Sequence, residues 1–332
     1  MENKNIYVDL LLTNAIQSEP NQRVDIKFYL NQSQQILSDT TDYKLSVVRF
    51  ALNTETLPIF IPQMSDMQTN TTIYSVTMEY NGVSYQQFMN FTPQNPNPMD
   101  EDEIYYVYSY QYVVYLMNTM INSCLIELNN LTTTGTTTPP KIGFDINTQL
   151  CGLSFNATNY GFNETNKINI YFNNQMYALI SSLPASHVNL SDGMDYQVNN
   201  KISEVADTLF QEYKTIELWN PVSSVVFTTN MLPIYSSVTA PLQVYENGQL
   251  TNNDTGYHFQ NILTDFIGND LVYTPYIEYV PSIYRFIDLK PHSSIRNIDI
   301  QTFWMNKNTG KLKPLYLIAG GSCSVKLLFT SE

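Results

Sequence analysis

The chain has 332 residues, enough for one large domain or two ordinary ones and for a sizeable buried core. Sixteen Lys and Arg against thirty Asp and Glu leave a net charge of −14, and charged residues make up only 14% of the chain, well under the roughly 25% of an ordinary soluble domain. That balance argues against a protein that grips nucleic acid, because phosphate neutralisation needs Lys and Arg, and against docking on an anionic membrane surface.

Residues 1–20 hold one apolar run, Ile6 to Leu12, followed by a polar stretch to Pro20, and read as an N-terminal arm or a short edge strand. Arg23 to Leu30 alternates, with Val24, Ile26, Phe28 and Leu30 on one face and Asp25 and Lys27 on the other, the pattern of a half-buried strand. Tyr43 to Leu52 is a second strand, and Pro58 to Pro62 (PIFIP) a short extended segment. Thr72–Tyr80 and Val83–Phe91 flank Asn81-Gly82, a strong hairpin signal because both central residues of a type I′ turn need positive φ. Asn247-Gly248 and Thr309-Gly310 predict further turns, the latter between Ile298–Trp304 and Leu312–Ile318. Many short strands with Gly, Asn and Pro between them predict a sandwich or barrel.

One region departs from this pattern. Tyr110, Val113, Val114, Met117, Ile121, Cys124, Leu125 and Leu128 recur at helical spacing, with Ser109 as N-cap and Asn129-Asn130 as the end. A shorter helix is expected through Met176, Leu179, Ile180 and Leu183, stopped by Pro184. Thr132 to Pro140 (TTTGTTTPP) and Asn247 to Gly256 read as loops, and Ala319-Gly320-Gly321-Ser322 as a turn before the last strand. The predicted core includes Val24, Ile26, Phe28, Leu45, Val47, Ile298, Ile300, Phe303 and Leu327.

No catalytic constellation stands out. His187, His258 and His292 lie in no metal-ligand spacing, and no nucleophile elbow is present. The acidic run Asp100-Glu101-Asp102-Glu103 offers carboxylates but lacks a spaced calcium-loop ladder, so it reads as a solvated loop. Asp265, Glu278 and Asp288 are isolated acids, from which no glycosidase pair can be chosen by sequence. Trp219, Trp304 and the tyrosines read as core or interface before they read as a carbohydrate platform. Cys124, Cys151 and Cys323 are odd in number and widely spaced, which predicts reduced, mostly buried thiols. Met1–Leu12 has no basic n-region and no long apolar run, so no secretory signal is expected. No apolar stretch is long enough to span a membrane, and the eight Asn-x-Ser/Thr sites, such as Asn31, Asn70, Asn163 and Asn253, read as unglycosylated. With so few charges, the exterior must be covered by Asn, Gln, Thr, Ser and Tyr. Tyr and Phe are enriched at subunit contacts and Lys and Glu depleted there, so the composition suits a surface hidden by other subunits.

Several phrases taken in order resemble one family. They are Thr41–Phe50 (TDYKLSVVRF) with Pro58–Pro62, Tyr106–Asn122 (YVYSYQYVVYLMNTMIN), Lys167–Pro184 (KINIYFNNQMYALISSLP), Ile262–Phe266 (ILTDF), Tyr276–Lys290 (YIEYVPSIYRFIDLK) and Ser322–Phe329 (SCSVKLLF). Together, from about residue 22 to the C-terminus, they resemble the minor capsid, or penton, proteins of virophages and Polinton-like (adintovirus-like) double-stranded DNA viruses. The resemblance implies an all-β fold, a single jelly-roll β-sandwich with a long insertion containing at least one amphipathic helix. It implies residues 21–65 and 205–332 as the jelly roll, 66–204 as the insertion and 1–20 as the arm. It further implies a structural, non-enzymatic role in the virion: a homopentamer at a capsid vertex, beside a hexon-like double jelly-roll major capsid protein. The family carries no catalytic motif. No catalytic, cofactor-binding or metal-binding residue is therefore expected, no direct nucleic-acid contact and no membrane span, and the contact surfaces are not placed residue by residue. The alternative is a β-sandwich module that binds a receptor or glycan.

Overall fold

A computed structural model describes residues 4–15, 22–94, 98–99, 101–161, 164–191, 193–199, 208–239, 244–246, 249–251, 258–266 and 275–331. The chain divides into two compact units, Met1–Leu57 with Pro221–Glu332, and Pro58–Asn220. Their boundaries, at 57/58 and 220/221, stand beside the 65/66 and 204/205 expected from the sequence.

The first unit is a jelly roll. One sheet runs Asn5–Thr13, Ser322–Ser331, Tyr43–Asn53, Tyr276–Tyr279, with Ile287–Asp288 also on the third strand. The other runs Ile262–Phe266, Val222–Thr228, Asn297–Asn306 and then Lys27–Asn31, with Leu312–Pro314 pairing further along Asn297–Asn306. All these pairings are antiparallel. In chain order the first three strands alternate between the sheets, and so do the last three. The layers meet face to face: the Phe50 ring centroid lies 5.3 Å from Phe227 and 4.5 Å from Phe266.

Alternation decides which side chains fill the space between. Ile26, Phe28, Leu45, Val47, Ile298, Ile300 and Leu327 are buried as expected, whereas Val24 and Phe303 are only half-buried. In Asn297–Asn306 the inward set is Ile298, Ile300, Thr302 and Trp304, so Phe303 falls out of phase. The N-terminal segment is more than an arm. Asn5–Thr13 pairs with the last strand over nine residues, from Asn5↔Thr330 to Thr13↔Ser322. Val8 and Leu10 point inward and Tyr7, Asp9 and Leu11 outward, the habit of a true edge strand. Gly310 adopts φ 66°, in the turn expected at Thr309-Gly310, and Gly320 adopts φ 81° just before the last strand. The Asn247-Gly248 turn lies outside the described residues, although Val244–Glu246 pairs with Gln249–Thr251 on either side of it.

The second unit is a helix laid on strands. Thr71–Tyr80 pairs with Val83–Asn90, with Asn81 at φ 51° and Gly82 at φ 78°, the signature of a type I′ turn. Asn169–Phe172, Tyr196–Val198 and Ala185–His187 extend that sheet. A smaller sheet joins Thr208–Phe210, Leu150–Ser154 and Lys141–Asp145. The helix Tyr110–Leu131 has Ser109 as its N-cap residue and buries Val113, Met117, Ile121, Cys124, Leu125 and Leu128, among others, against the hairpin. The shorter helix covers only Asn174–Leu179. It ends well before Pro184, so proline is not its stop. Instead the chain leaves the helical region at Ile180, where φ is −124° and ψ 30°. The strand content of this unit went largely unread in the sequence.

Candidate assembly surfaces

The residues that could carry chemistry are dispersed or used up in structure. His187 is exposed and meets the edge of Tyr196, at 5.0 Å between ring centroids. His292 is exposed beside the Thr41 hydroxyl, and the His258 side chain lies outside the described residues. In the acidic run, Asp100 lies outside the described residues and Glu101–Tyr105 forms one short 3-10 turn. Its Glu103 is buried and works as an anchor, accepting from the Met99 amide at 2.5 Å and the Tyr108 hydroxyl at 3.0 Å. Among the described residues no group of three or more Asp, Glu, His or Cys side chains is placed to hold a metal.

Asp265 forms an ion pair with Arg285 at 2.8 Å, Glu278 is exposed on Tyr276–Tyr279, and Asp288 lies across from Lys44. Trp219 and Trp304 are both buried, and the Trp219 indole donates to the Leu179 carbonyl at 2.6 Å, so neither is offered to a sugar. All three cysteines are free and buried, and burial pushes each thiol up to about 12. They are protonated packing groups, unsuited to nucleophilic or redox work at neutral pH. Among the described residues, no helix is long and apolar enough to cross a membrane.

What remains is surface. In the jelly roll several large apolar side chains are exposed, at both edges of the sandwich and, with Met231 and Tyr235, elsewhere. At one edge, Tyr7 and Leu11 point away from the core on Asn5–Thr13, and Tyr29 does so on Lys27–Asn31 of the other sheet, so the three stand on two outer faces. At the other edge, Tyr276–Tyr279, which ends its sheet as Ile262–Phe266 ends the other, and the segment that follows expose Tyr276, Val280, Ile283, Tyr284 and Phe286. An open cavity of about 230 Å³ sits at this edge, between Val47, Thr264, Phe266, Tyr279, Pro281, Ile283 and the Asp265–Arg285 pair. Sequence reasoning named Val47 as core and Asp265 as an isolated acid, and did not bring them together with Ile283 and Arg285. The signal was present in Pro281, which cannot donate to a sheet ladder and so leaves the apolar run after it outside the strand.

Charge divides as sharply as shape. Residues 58–220 carry four Lys and Arg against fifteen Asp and Glu, net −11, while the jelly-roll unit carries twelve against fifteen, net −3.

A family model described as Sputnik minor capsid protein V18/19 matches residues 6–331. The chain belongs to that family. It is thus a minor capsid protein, a structural component of the virion. The V18 protein of Sputnik virophage is 31% identical over 120 residues, which cover 31% of this chain and 72% of that protein. A chain in the cryo-EM structure of the Sputnik virophage superposes with a TM-score of 0.80 at 24% identity, over 98% of each chain. The mavirus penton protein superposes with a TM-score of 0.69 at 18% identity, over 99% of this minor capsid protein and all of that one. At these identities the structural likeness is one of fold, and it extends through both units.

Proposed function

We propose that this minor capsid protein forms the pentameric vertex capsomer of an icosahedral shell, five copies closing a ring in the gap left by a double jelly-roll major capsid protein. The reading is carried by the family match along nearly the whole chain, 6–331, to a minor capsid protein whose body is one jelly roll. The likeness of fold to a penton protein supports the vertex in particular. Physics supports the same assignment. Five identical subunits close a ring only through a heterologous contact, in which one patch meets a different patch on the next copy. A stiff sandwich with large apolar side chains exposed at both edges can offer two different patches to such a ring. The role is structural, with no catalysis, no cofactor and no direct grip on the genome. A net charge of −14 would repel packaged nucleic acid, so its neutralisation belongs to other components.

Native mass spectrometry of the purified chain, alone and coexpressed with the major capsid protein, tests the proposal. The expected result is a five-copy species that enters shells at the vertices. A chain that stays monomeric at every concentration and is left out of shells would defeat it.

A further inference from the structure

The cavity at the edge of the jelly roll contains a polar group that the fold does not use. Phe266 packs inward on Phe50 and Phe227, and strand alternation turns Thr264 the same way, into the mouth of the space between the two sheets. Thr264 is only 7% exposed, and among the described residues no group bonds its hydroxyl. A hydroxyl left unbonded in a buried position is costly and uncommon, and here it lines an open cavity. Beside it stands Tyr279, its ring 41% exposed and braced by Phe50 and Phe266 at 5.4 and 5.0 Å between centroids. On the lining, Arg285 donates to Asp265 at 2.8 Å, and both side chains remain open to solvent.

The donor and acceptor set selects the ligand. Arg285 can only donate, an ionised Asp265 can only accept, and the Thr264 hydroxyl does either. Neighbouring hydroxyls on one ligand, each both donor and acceptor, match all three. The Asp265 and Arg285 charges offset each other, so the site has little pull on an ion of either sign. A half-exposed, rigidly held ring suits the apolar C–H face of a sugar. At about 230 Å³ the cavity lies below the roughly 300–1,000 Å³ of pockets for drug-sized ligands, room for one ring and not for a chain. We infer that it binds one neutral sugar ring, the terminal unit of a glycan, with Thr264, Asp265 and Arg285 on its hydroxyls and Tyr279 against its C–H face. The site lies within one copy and does not depend on the ring of five.

Saturation-transfer NMR on the full purified chain tests the site, with D-glucose, D-galactose, D-mannose, L-fucose, D-xylose and N-acetyl-D-glucosamine as separate probes. The expected result is saturable binding of at least one of them. Thr264→Val keeps the side chain's shape and removes its hydroxyl. It should melt no lower than the unaltered protein, because no internal bond is lost, and bind the sugar about fivefold more weakly, the worth of one hydrogen bond. Asp265→Asn, at an exposed position, should also weaken binding while leaving the melt unchanged. Failure of every sugar to bind overturns the inference, and so does full-strength binding by Thr264→Val. A lower melting temperature for Thr264→Val would show that the hydroxyl serves the fold, and would defeat it too. Binding of N-acetylneuraminic acid alone, lost in Arg285→Gln, would make the cavity an anion site and likewise overturn it. None of these outcomes bears on the pentamer, which is read from the mass of the assembly.

Discussion

In the jelly roll, Ser322–Ser331 is hydrogen-bonded along most of its length to Asn5–Thr13 on one side and Tyr43–Asn53 on the other. In the insertion most strands are three to five residues long, and amide side chains stand in for the missing ladder. Asn118, on the helix, donates to the Ile142 carbonyl at 2.8 Å and accepts from the Ile142 amide at 2.7 Å, pairing as a strand would. Asn129 holds the Thr-rich loop, accepting from the Thr134 amide and hydroxyl and donating to the Thr136 carbonyl. Asn173 accepts from the Ser75 and Met176 amides and donates to the Ile73 carbonyl. Gln211 accepts from the Cys151 amide and donates to the Ser181 carbonyl and the Thr215 hydroxyl. A regular sheet satisfies buried backbone by periodicity, whereas an irregular unit must do so residue by residue. The 36 Asn residues are thus more than polar cover: several are internal fasteners.

The harshest way to break this contrast is Leu327→Asp. Leu327 is fully buried in the central strand opposite Val47, and an unpaired buried carboxylate costs several kcal/mol, roughly the stability of a whole domain. Loss of soluble, cooperatively melting protein is expected. Val47→Asp is a weaker probe, because Val47 borders the open cavity and a carboxylate there could reach water. Next comes Asn173→Ala, which strands two amides and a carbonyl and should destabilise the insertion by about 3 kcal/mol. Hydrogen exchange should show Ser75 and Met176 amides losing protection while the ladder between Asn5–Thr13 and Ser322–Ser331 keeps its own. Equal loss in both would mean that the two units unfold together.

Alkaline pH sharpens the comparison without mutation. Each thiol is raised in the folded state to about 12 from an ordinary value near 9, so folded protein holds protons that the unfolded chain releases. The sign follows: their contribution is intact below about pH 9 and is lost as pH climbs from there through about 12. At pH 10 the loss is about 1.4 kcal/mol per thiol. Cys124 and Cys151 lie in the insertion and Cys323 in the jelly roll, so the insertion should open first. Thiol labelling of the folded protein at pH 10 should modify Cys124 and Cys151 before Cys323, and the reverse order would overturn the contrast.

Much of the jelly roll was legible because its signals are periodic and local. Ile26 and Phe28, Leu45 and Val47, Ile298 and Ile300 alternate as an inward face must, and the helix from Tyr110 announced itself by 3.6-residue spacing. Phe303 was misplaced because hydrophobicity outweighed register: alternation from Ile298 and Ile300 puts Thr302 and Trp304 inward, and on the other face of the strand Asp299 alone is buried. Asp299 accepts from the Thr229 hydroxyl and from the Asn230 and Met231 amides, bonds that join positions about 70 residues apart. The insertion's short strands were missed for the same reason as its Asn fasteners. Asn118 and Ile142 are 24 residues apart, and Asn173 reaches back about 100, distances across which composition carries no signal. The exposure of Leu11 stayed hidden because Ile6 to Leu12 reads as one apolar run, and only its pairing in the sheet shows that Val8 and Leu10 turn inward while Leu11 turns out.

The smallest expected effect concerns Gly82, at the tip of the insertion's longest hairpin. At φ 78° it occupies a conformation that costs an L-residue roughly 1 kcal/mol, and a Cβ there would meet nothing within 4 Å. Gly82→Ala should therefore lower stability by about 1 kcal/mol through backbone conformation alone, with no steric clash. Asn81→Gly, which relieves the same left-handed demand at φ 51°, should be nearly neutral or slightly stabilising. Thermal melts of the pair separate turn geometry from packing. If Gly82→Ala cost several kcal/mol, the hairpin would be held by contacts at its tip, and the insertion would depend on its turn as heavily as on its Asn fasteners.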